Sequence, residues 1–142
     1  MGDLTGNRGL KFAYSRFDTS DLRCRSQGDV FVNVEADLEV VDDGIVLCAW
    51  QSFPVAELAV ALRKWKACPE ADRPDFEFRS LSLESRWSLR ICRTADGWQA
   101  IDAVSGAVRP AAEIDAAIDD FARQVRAEAV RTEGAWIGEF FV

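Results

Sequence analysis

A run of alternating side chains between residues 30 and 40 constrains the fold more than any other part of this chain. It reads VFVNVEADLEV, in which the even positions are all apolar and the odd positions become acidic at Glu35, Asp37 and Glu39. Successive side chains of a strand point to opposite faces of a sheet. The run therefore predicts one long strand from Val30 to Val40, with one face on a core and the other carrying a row of carboxylates.

A tight turn joins this strand to the next one. Asp42, Asp43 and Gly44 form a turn sequence, and the apolar segment IVLCAW follows them. Aspartate followed by glycine is a strong hairpin indicator, because both residues tolerate a positive φ. The segment 45–50 is apolar on both faces, so it is expected to be a central strand.

Two segments have the period of amphipathic helices. The first follows Pro54 and reaches Trp65, and the second follows Pro110 and stops at Gly134. Proline suits the first turn of a helix, and glycine is favoured just beyond the last turn. The predicted apolar stripe of the second helix is Ile114, Ile118, Phe121, Val125 and Ala129.

Shorter apolar runs predict the remaining strands. They are residues 10–17, residues 76–83 with a bulge near Arg79, residues 87–91, the segment after the turn at 95–97, and the C-terminal AWIGEFFV. The polar stretch 18–29 is expected to be a loop that ends in a turn at residues 27–29. This order predicts a single α+β domain over residues 1–142, with a mainly antiparallel sheet of about six or seven strands and two α-helices packed on one face.

The composition argues against the common classes of enzyme. The formal charge is −7, and the chain has no histidine, the side chain most often used as a general base. GxSxG, Walker, HExxH and Gly-rich dinucleotide motifs are also missing from the sequence. Glu35 and Asp37 lie about 7 Å apart on the predicted strand, a spacing found in inverting glycosidases. Acidic pairs on solvent-facing strands are common, however, so a non-enzymatic protein without catalytic residues is predicted.

Charge and hydropathy also restrict the location and the partners. Excess negative charge repels nucleic acid and attracts cationic proteins. No stretch approaches the length of an apolar membrane helix, and the N-terminus lacks the apolar core of a signal peptide. These features predict a cytoplasmic protein that binds neither nucleic acid nor membrane.

Four cysteines are spread widely along the chain, at Cys24, Cys48, Cys68 and Cys92. Without a CxxC pair or a histidine they do not form a common zinc site, and without a secretory context disulfides are not expected. They are predicted to be buried free thiols, and no metal or other cofactor is predicted.

The main candidate for a binding site is the acidic segment around the predicted hairpin. Its members are Glu35, Asp37, Glu39, Asp42 and Asp43. Carboxylates gathered on one side of a strand suit a basic protein partner. The simpler interpretation is a solvated face whose charges discourage edge-to-edge pairing of sheets.

Two aromatic clusters are further candidates. Arginine beside tryptophan favours nucleic-acid or anion binding. The members of this cluster are Arg79, Arg86, Arg90, Arg93, Trp87 and Trp98. The alternative is that the arginines pair with Glu77 or Glu84 on neighbouring strands. Near the C-terminus, Trp136, Phe140 and Phe141 are either interface anchors or part of a strand that closes the core.

Three segments resemble a family of uncharacterised bacterial α+β proteins. They are FPVAELAVALRKW at residues 53–65, DFEFRSLSLE at residues 75–84 and LRICRTADGW at residues 89–98. The resemblance implies a fold and transfers no catalytic residue. In size, acidity and lack of catalytic motifs, the chain is also similar to small bacterial immunity proteins, which neutralise toxins by binding them.

The sequence thus favours a non-enzymatic protein-binding domain, in the form of a bacterial immunity protein that neutralises a basic toxin or effector through an acidic strand face. The alternative is a small-molecule-binding or regulatory module with a pocket between sheet and helices. A homo-oligomeric protein is a third hypothesis.

Overall fold

Two three-stranded antiparallel sheets form the β part of the protein. The structure is a computed structural model that describes residues 9–80, 89–101 and 104–141. The first sheet has the order β1-β2-β3, with β1 at Leu10–Asp18, β2 at Glu35–Asp42 and β3 at Ile45–Pro54. The second has the order β4-β5-β6, at Phe76–Glu77, Arg90–Thr94 and Gly97–Ile101. The predicted α+β fold with antiparallel strands is confirmed, and the six strands of the described ranges are divided between two sheets.

Helices cover one side of the first sheet. In the described ranges, α1 spans Gln27–Asn33, α2 spans Val55–Ala67 and α3 spans Ala111–Glu133, with a short 3-10 turn at Glu70–Asp72. Helix α2 packs against α3, and α3 packs against β1. The predicted starts of α2 and α3, directly after a proline, are confirmed. None of the helices in these ranges combines the length and apolar character needed to cross a bilayer.

The predicted long strand over residues 30–40 is wrong in its first half, because that half belongs to α1. Ser26 caps this helix: its side-chain oxygen accepts a hydrogen bond from the backbone amide of Asp29 at 3.2 Å. A serine three residues before an acidic residue is a known helix-start pattern. The predicted turn at residues 27–29 is therefore the first turn of a helix.

The segment 45–50 lies at the edge of the first sheet rather than at its centre. Strand β2 pairs with both β1 and β3, so β2 is the central strand of this sheet. Ile45 and Val46 at the start of β3 are 63% and 47% exposed. Their apolar character therefore does not arise from burial between two layers.

The strands predicted between residues 76 and 101 are confirmed in part. Strand β4 covers only Phe76–Glu77 of the predicted strand 76–83, and residues 81–88 lie outside the described ranges. The hairpin predicted at residues 95–97 joins β5 to β6 in the expected place.

The C-terminal aromatic segment is helical, although a strand was predicted there. Ala135–Phe141 forms a 3-10 helix that packs on α3. Gly134 ends α3 with a φ of 114°, and the Arg126 guanidinium donates a hydrogen bond to the Gly138 carbonyl at 3.3 Å. Because Phe141 is buried, the segment closes the core by packing and not by strand pairing.

The four cysteines are not joined in disulfides, but their predicted burial is wrong. Cys24 and Cys68 are exposed, and Cys48 and Cys92 are half-buried. The exposed pair lies at helix boundaries, in the segment before α1 and at the end of α2, where little other chain covers them.

Alternate residues of β2 and the stripe of α3 form the centre of the core. Ala36, Leu38 and Val40 are at most 1% exposed. The predicted stripe of α3 is buried at every position: Ile114, Ile118, Phe121, Val125 and Ala129. The second half of the predicted strand and the inward face of the last helix are thereby confirmed.

Phe121→Ala should lower the free energy of unfolding by about 3–5 kcal/mol, because it removes a buried ring and leaves a cavity. The ring is 1% exposed, and its centroid lies 5.6 Å from that of Phe12 and 6.2 Å from that of Tyr14. Urea unfolding measures the change. A loss below about 1 kcal/mol would contradict the packing of α3 on β1.

Candidate partner-binding face

The outer face of the first sheet carries the predicted row of carboxylates. Glu35, Asp37 and Glu39 alternate along β2 with buried residues, so they project from the face opposite the core. Glu39 is exposed, and Glu35 and Asp37 are half-buried. We call these three residues, with the strand surface around them, the acidic face.

Small side chains surround the acidic face. Glu39 pairs across the sheet with Ala13 of β1 and Ala49 of β3, and Asp37 pairs with Ser15 of β1. A shallow depression of 480 Å³ lies over these positions. A second depression, of 260 Å³, adjoins it at Asp37 and extends to Glu35. The carboxylates therefore border depressions that open to solvent.

Both outer strands bulge beside Asp37. The register shifts between Ser15 and Asp18 in β1, and again in β3 opposite residues 36–38. Each bulge contains a non-glycine residue with a positive φ, Arg16 at 56° and Ser52 at 52°. Such conformations are strained and persist only where surrounding contacts hold them.

Asp37 supplies a contact to each bulge. One of its oxygens accepts a hydrogen bond from the Ser52 amide at 3.1 Å, and the other lies 3.8 Å from Arg16 Nε. The Arg16 side chain is 84% exposed, so this ion pair is loose and weak. Asp37 thus orders the sheet locally while its negative charge remains poorly neutralised.

Glu35 lies in an unfavourable electrostatic environment. Burial raises the pKa of its carboxyl above the ordinary value of 4.5, and the nearby charges of Asp21 and Asp18 raise the pKa further. Asp18 is also the cross-strand partner of Glu35 in the register of β1 and β2. This end of the acidic face therefore gathers negative charge that the described residues do not balance.

Asp42 does not lie on the acidic face, so its predicted place in the same binding site is wrong. It occupies an even position of β2, points toward the core and is 4% exposed. One of its oxygens lies 2.5 Å from Arg109 Nη2, and the other accepts a hydrogen bond from the Ala107 amide at 2.9 Å. The parity of the strand, applied one residue further, would have separated Asp42 from the other acids.

Asp43 is likewise engaged in holding the chain together. One of its oxygens accepts a hydrogen bond from the Gly9 amide at 2.6 Å, and the other lies 2.8 Å from Arg109 Nη2. The hydrogen bond that Arg109 donates to Asp42 is the main reason that the pKa of Arg109 is raised, and its hydrogen bond to Asp43 adds to the increase. The predicted five-residue site is therefore divided into three residues of the acidic face and two of an ion-pair cluster.

Two exposed arginines of the predicted cluster contact a tryptophan ring and an acidic side chain. Arg93 lies 4.4 Å from the ring centroid of the fully buried Trp98, and Arg79 pairs with Glu77 at 2.5 Å. Arg73, which sequence analysis missed, is 6% exposed and makes several hydrogen bonds. The predicted members Arg86 and Trp87 lie outside the described ranges. The observed arginine contacts support the interpretation of structural pairing.

Residues 10–128 match a family described as Domain of unknown function (DUF7878). The chain belongs to the DUF7878 family. The match includes the whole first sheet and the acidic face, and it agrees with the resemblance to an uncharacterised family. No curated protein and no solved structure matches this chain. Membership of the DUF7878 family therefore assigns no activity, and function has to be argued from the site.

Asp42→Asn should destabilise this DUF7878 protein by about 3 kcal/mol, because it removes the buried one of the three carboxylates that surround the shielded Arg109. The matched control Asp43→Asn, at a side chain that is 55% exposed, should lose less than about 1 kcal/mol. Chemical denaturation of both variants measures the difference. Equal losses would contradict the assignment of Asp42 as the principal partner of Arg109.

Glu35→Gln should raise the free energy of unfolding at pH 7. Because the pKa of Glu35 is raised in the folded state, that state binds a proton more tightly than the unfolded state does. The ionised carboxylate therefore opposes folding at neutral pH. The gain should disappear as the pH falls below the unfolded-state pKa, where both states are protonated.

Urea midpoints at pH 7 and at pH 3.5 distinguish this effect from a general change in surface charge. Glu39→Gln, at the exposed end of the acidic face, is the control and should change the midpoint little at either pH. A destabilised Glu35→Gln protein at pH 7 would show that the carboxylate makes a favourable contact instead.

Proposed function

We propose that this chain is a non-enzymatic protein-binding domain that receives a basic protein partner on the acidic face. The supporting observation is the poorly neutralised charge of Glu35, Asp37 and Glu39 on an open sheet surface. A cationic partner complements such a surface, and it accelerates association by electrostatic steering.

The chemistry of Glu35 favours a partner over a merely solvated surface. A carboxylate that serves only solubility is most stable when it is fully hydrated, whereas Glu35 is half-buried beside other acids. A lysine or arginine brought to this position would lower the pKa of Glu35 and remove the repulsion. The same contact would therefore stabilise both the complex and the folded domain.

A bacterial immunity protein acting in the cytoplasm is the specific form of this proposal. Small size, a charge of −7 and binding without catalysis suit a protein that blocks a basic toxin or effector by covering it. The contacts at the acidic face would then be desolvated charge pairs. The alternative of a small-molecule module receives less support, because the depressions beside Asp37 are open on the outer face and do not lie between sheet and helices.

Charge reversal of the acidic face tests the proposal. The protein is immobilised to capture partners from extracts of its own cells, and each captured protein is then purified and its affinity measured. We expect the triple variant to bind a true partner at least about tenfold less tightly and to associate with it more slowly. This variant combines Glu35→Lys, Asp37→Lys and Glu39→Lys. Binding to the unmutated protein should also weaken steeply with salt.

A control triple variant carries the same change in net charge elsewhere: Asp72→Lys, Asp96→Lys and Glu139→Lys, all at exposed positions. Circular dichroism and urea unfolding confirm that both variants fold. If the affinity of every captured partner changes by less than about twofold, well below what desolvated charge pairs contribute, the acidic face is only a solvated surface. Binding would then have to be sought at the aromatic C-terminus.

A further inference from the structure

An apolar patch lies at the hairpin end of the acidic face. Val41 continues the parity of Glu35, Asp37 and Glu39 along β2, and it pairs across the sheet with Val46 of β3. Val46 is 47% exposed, and the other cross-strand neighbour of Val41 is the exposed Lys11 of β1. The outer face of the sheet therefore changes from acidic to apolar along a single strand.

Ile45 pairs with Asp42, whose side chain points toward the core, so Ile45 belongs to the other face of the sheet. Exposed apolar side chains that cluster beside a charged surface are typical of protein interaction sites. We call Val41 and Val46 the apolar end.

We infer that the occupant of this surface is a cationic amphipathic helix of a partner protein, lying along β2 with its basic residues over the acidic face and its apolar residues over the apolar end. This inference rests on the proposed function and specifies the partner.

The spacing of the surface fits one side of a helix. Alternate residues of an antiparallel strand repeat about every 6.8 Å, so Val41 lies about 20 Å along the strand from Glu35. Residues four apart in an α-helix repeat about every 6 Å. Three basic residues at i, i+4 and i+8 would therefore follow the three acids within the reach of lysine side chains. Apolar residues at i+11 and i+12 would reach Val41 and Val46.

The chemistry of the backbone favours a helix over an extended peptide. The outer face presents side chains, and the backbone groups of a central strand are already paired within the sheet. An extended peptide lying across this face would leave its own amides and carbonyls without partners from the sheet, whereas a helix satisfies them internally. The small residues Ala13, Ser15 and Ala49 leave room for a helix to approach.

The charge of the surface argues against two other occupants. A second copy of the chain docked by the same face would place acids against acids, in a protein of net charge −7. An anionic membrane would be repelled for the same reason. Arg16 is the one positive group paired with Asp37 in the described ranges, and its loose contact can be displaced by a partner cation.

A designed peptide tests the inference. The probe is a fluorescent 16-residue peptide with lysines at positions 3, 7 and 11 and leucines at positions 14 and 15, on a background of alanine and glutamine. A control peptide of the same composition distributes the lysines around the helix. We expect the probe to bind the unmutated protein at least about tenfold more tightly than the control peptide does at low salt.

Variants of the protein identify the two parts of the surface. Glu35→Gln, Asp37→Asn and Glu39→Gln together should remove the preference for the probe, whereas Asp72→Asn, Asp96→Asn and Glu139→Gln should keep it. Val46→Ser should weaken the affinity for the probe about fivefold, because it removes an apolar contact. It should leave the salt dependence of binding unchanged, since no charge is altered. Arg16→Gln should tighten binding, since it removes the competing cation.

Each contrary result has a definite meaning. Equal affinity for the two peptides, or undiminished binding of a probe with proline at position 8, would overturn the helical occupant. Loss of a captured natural partner on charge reversal would, in that case, still support the proposed function. A dimer of the unmutated protein that dissociates on Val46→Ser in sedimentation experiments would assign the apolar end to a second copy and overturn the inference.

Discussion

Arg109 connects three parts of the structure and links the two sheets through its backbone and its guanidinium. Its backbone exchanges hydrogen bonds of 2.8 and 2.7 Å with Trp98 of β6 in the second sheet. Its guanidinium reaches Asp42 and Asp43 at the end of the first sheet and Glu113 in the first turn of α3. Because Asp42 is shielded from water, the pair fixes the β2–β3 hairpin against β6 and α3. The outer face of the first sheet acquires a defined orientation as a result.

The parity of β2 then decides which residues serve stability and which are available for binding. Side chains at even positions point into the core, where Ala36, Leu38 and Val40 are almost fully buried. Asp42, at the end of this series, forms an ion pair with Arg109. The odd positions form one continuous outer surface, acidic over most of its length and apolar near the turn. The two bulges beside Asp37 add twist and hold the flanking strands in strained conformations. A single strand thereby ties the architecture of the core to the chemistry of the candidate site.

Patterns within a few residues could be predicted from the sequence, whereas pairings between distant residues could not. The alternation from Val34 to Val40 and the stripe around Phe121 each need only local period, and both are confirmed. The same alternation gave a wrong prediction at residues 30–33. The Ser26 cap favours a helix there, and a buried face occurs in helices as well as in strands. The pair Asp42 and Arg109 is separated by 67 positions and has no local pattern. The Arg109 partner of Asp42 could therefore not be predicted, whereas the parity of β2 was enough to place Asp42 on the inner face, away from Glu35, Asp37 and Glu39.

Stability and binding oppose each other at Glu35. Desolvation and the neighbouring acids disfavour its ionised form, so the folded protein bears an electrostatic penalty at neutral pH. A bound cation would remove that penalty, and ligand binding stabilises a fold in proportion to its preference for the folded state. The partner would therefore gain most at Glu35, where the ionised carboxylate of the free domain is least stable. Under the proposed function, this coupling would let an open, shallow face discriminate among partners without a deep pocket, because only a cation in the right register would neutralise its charge.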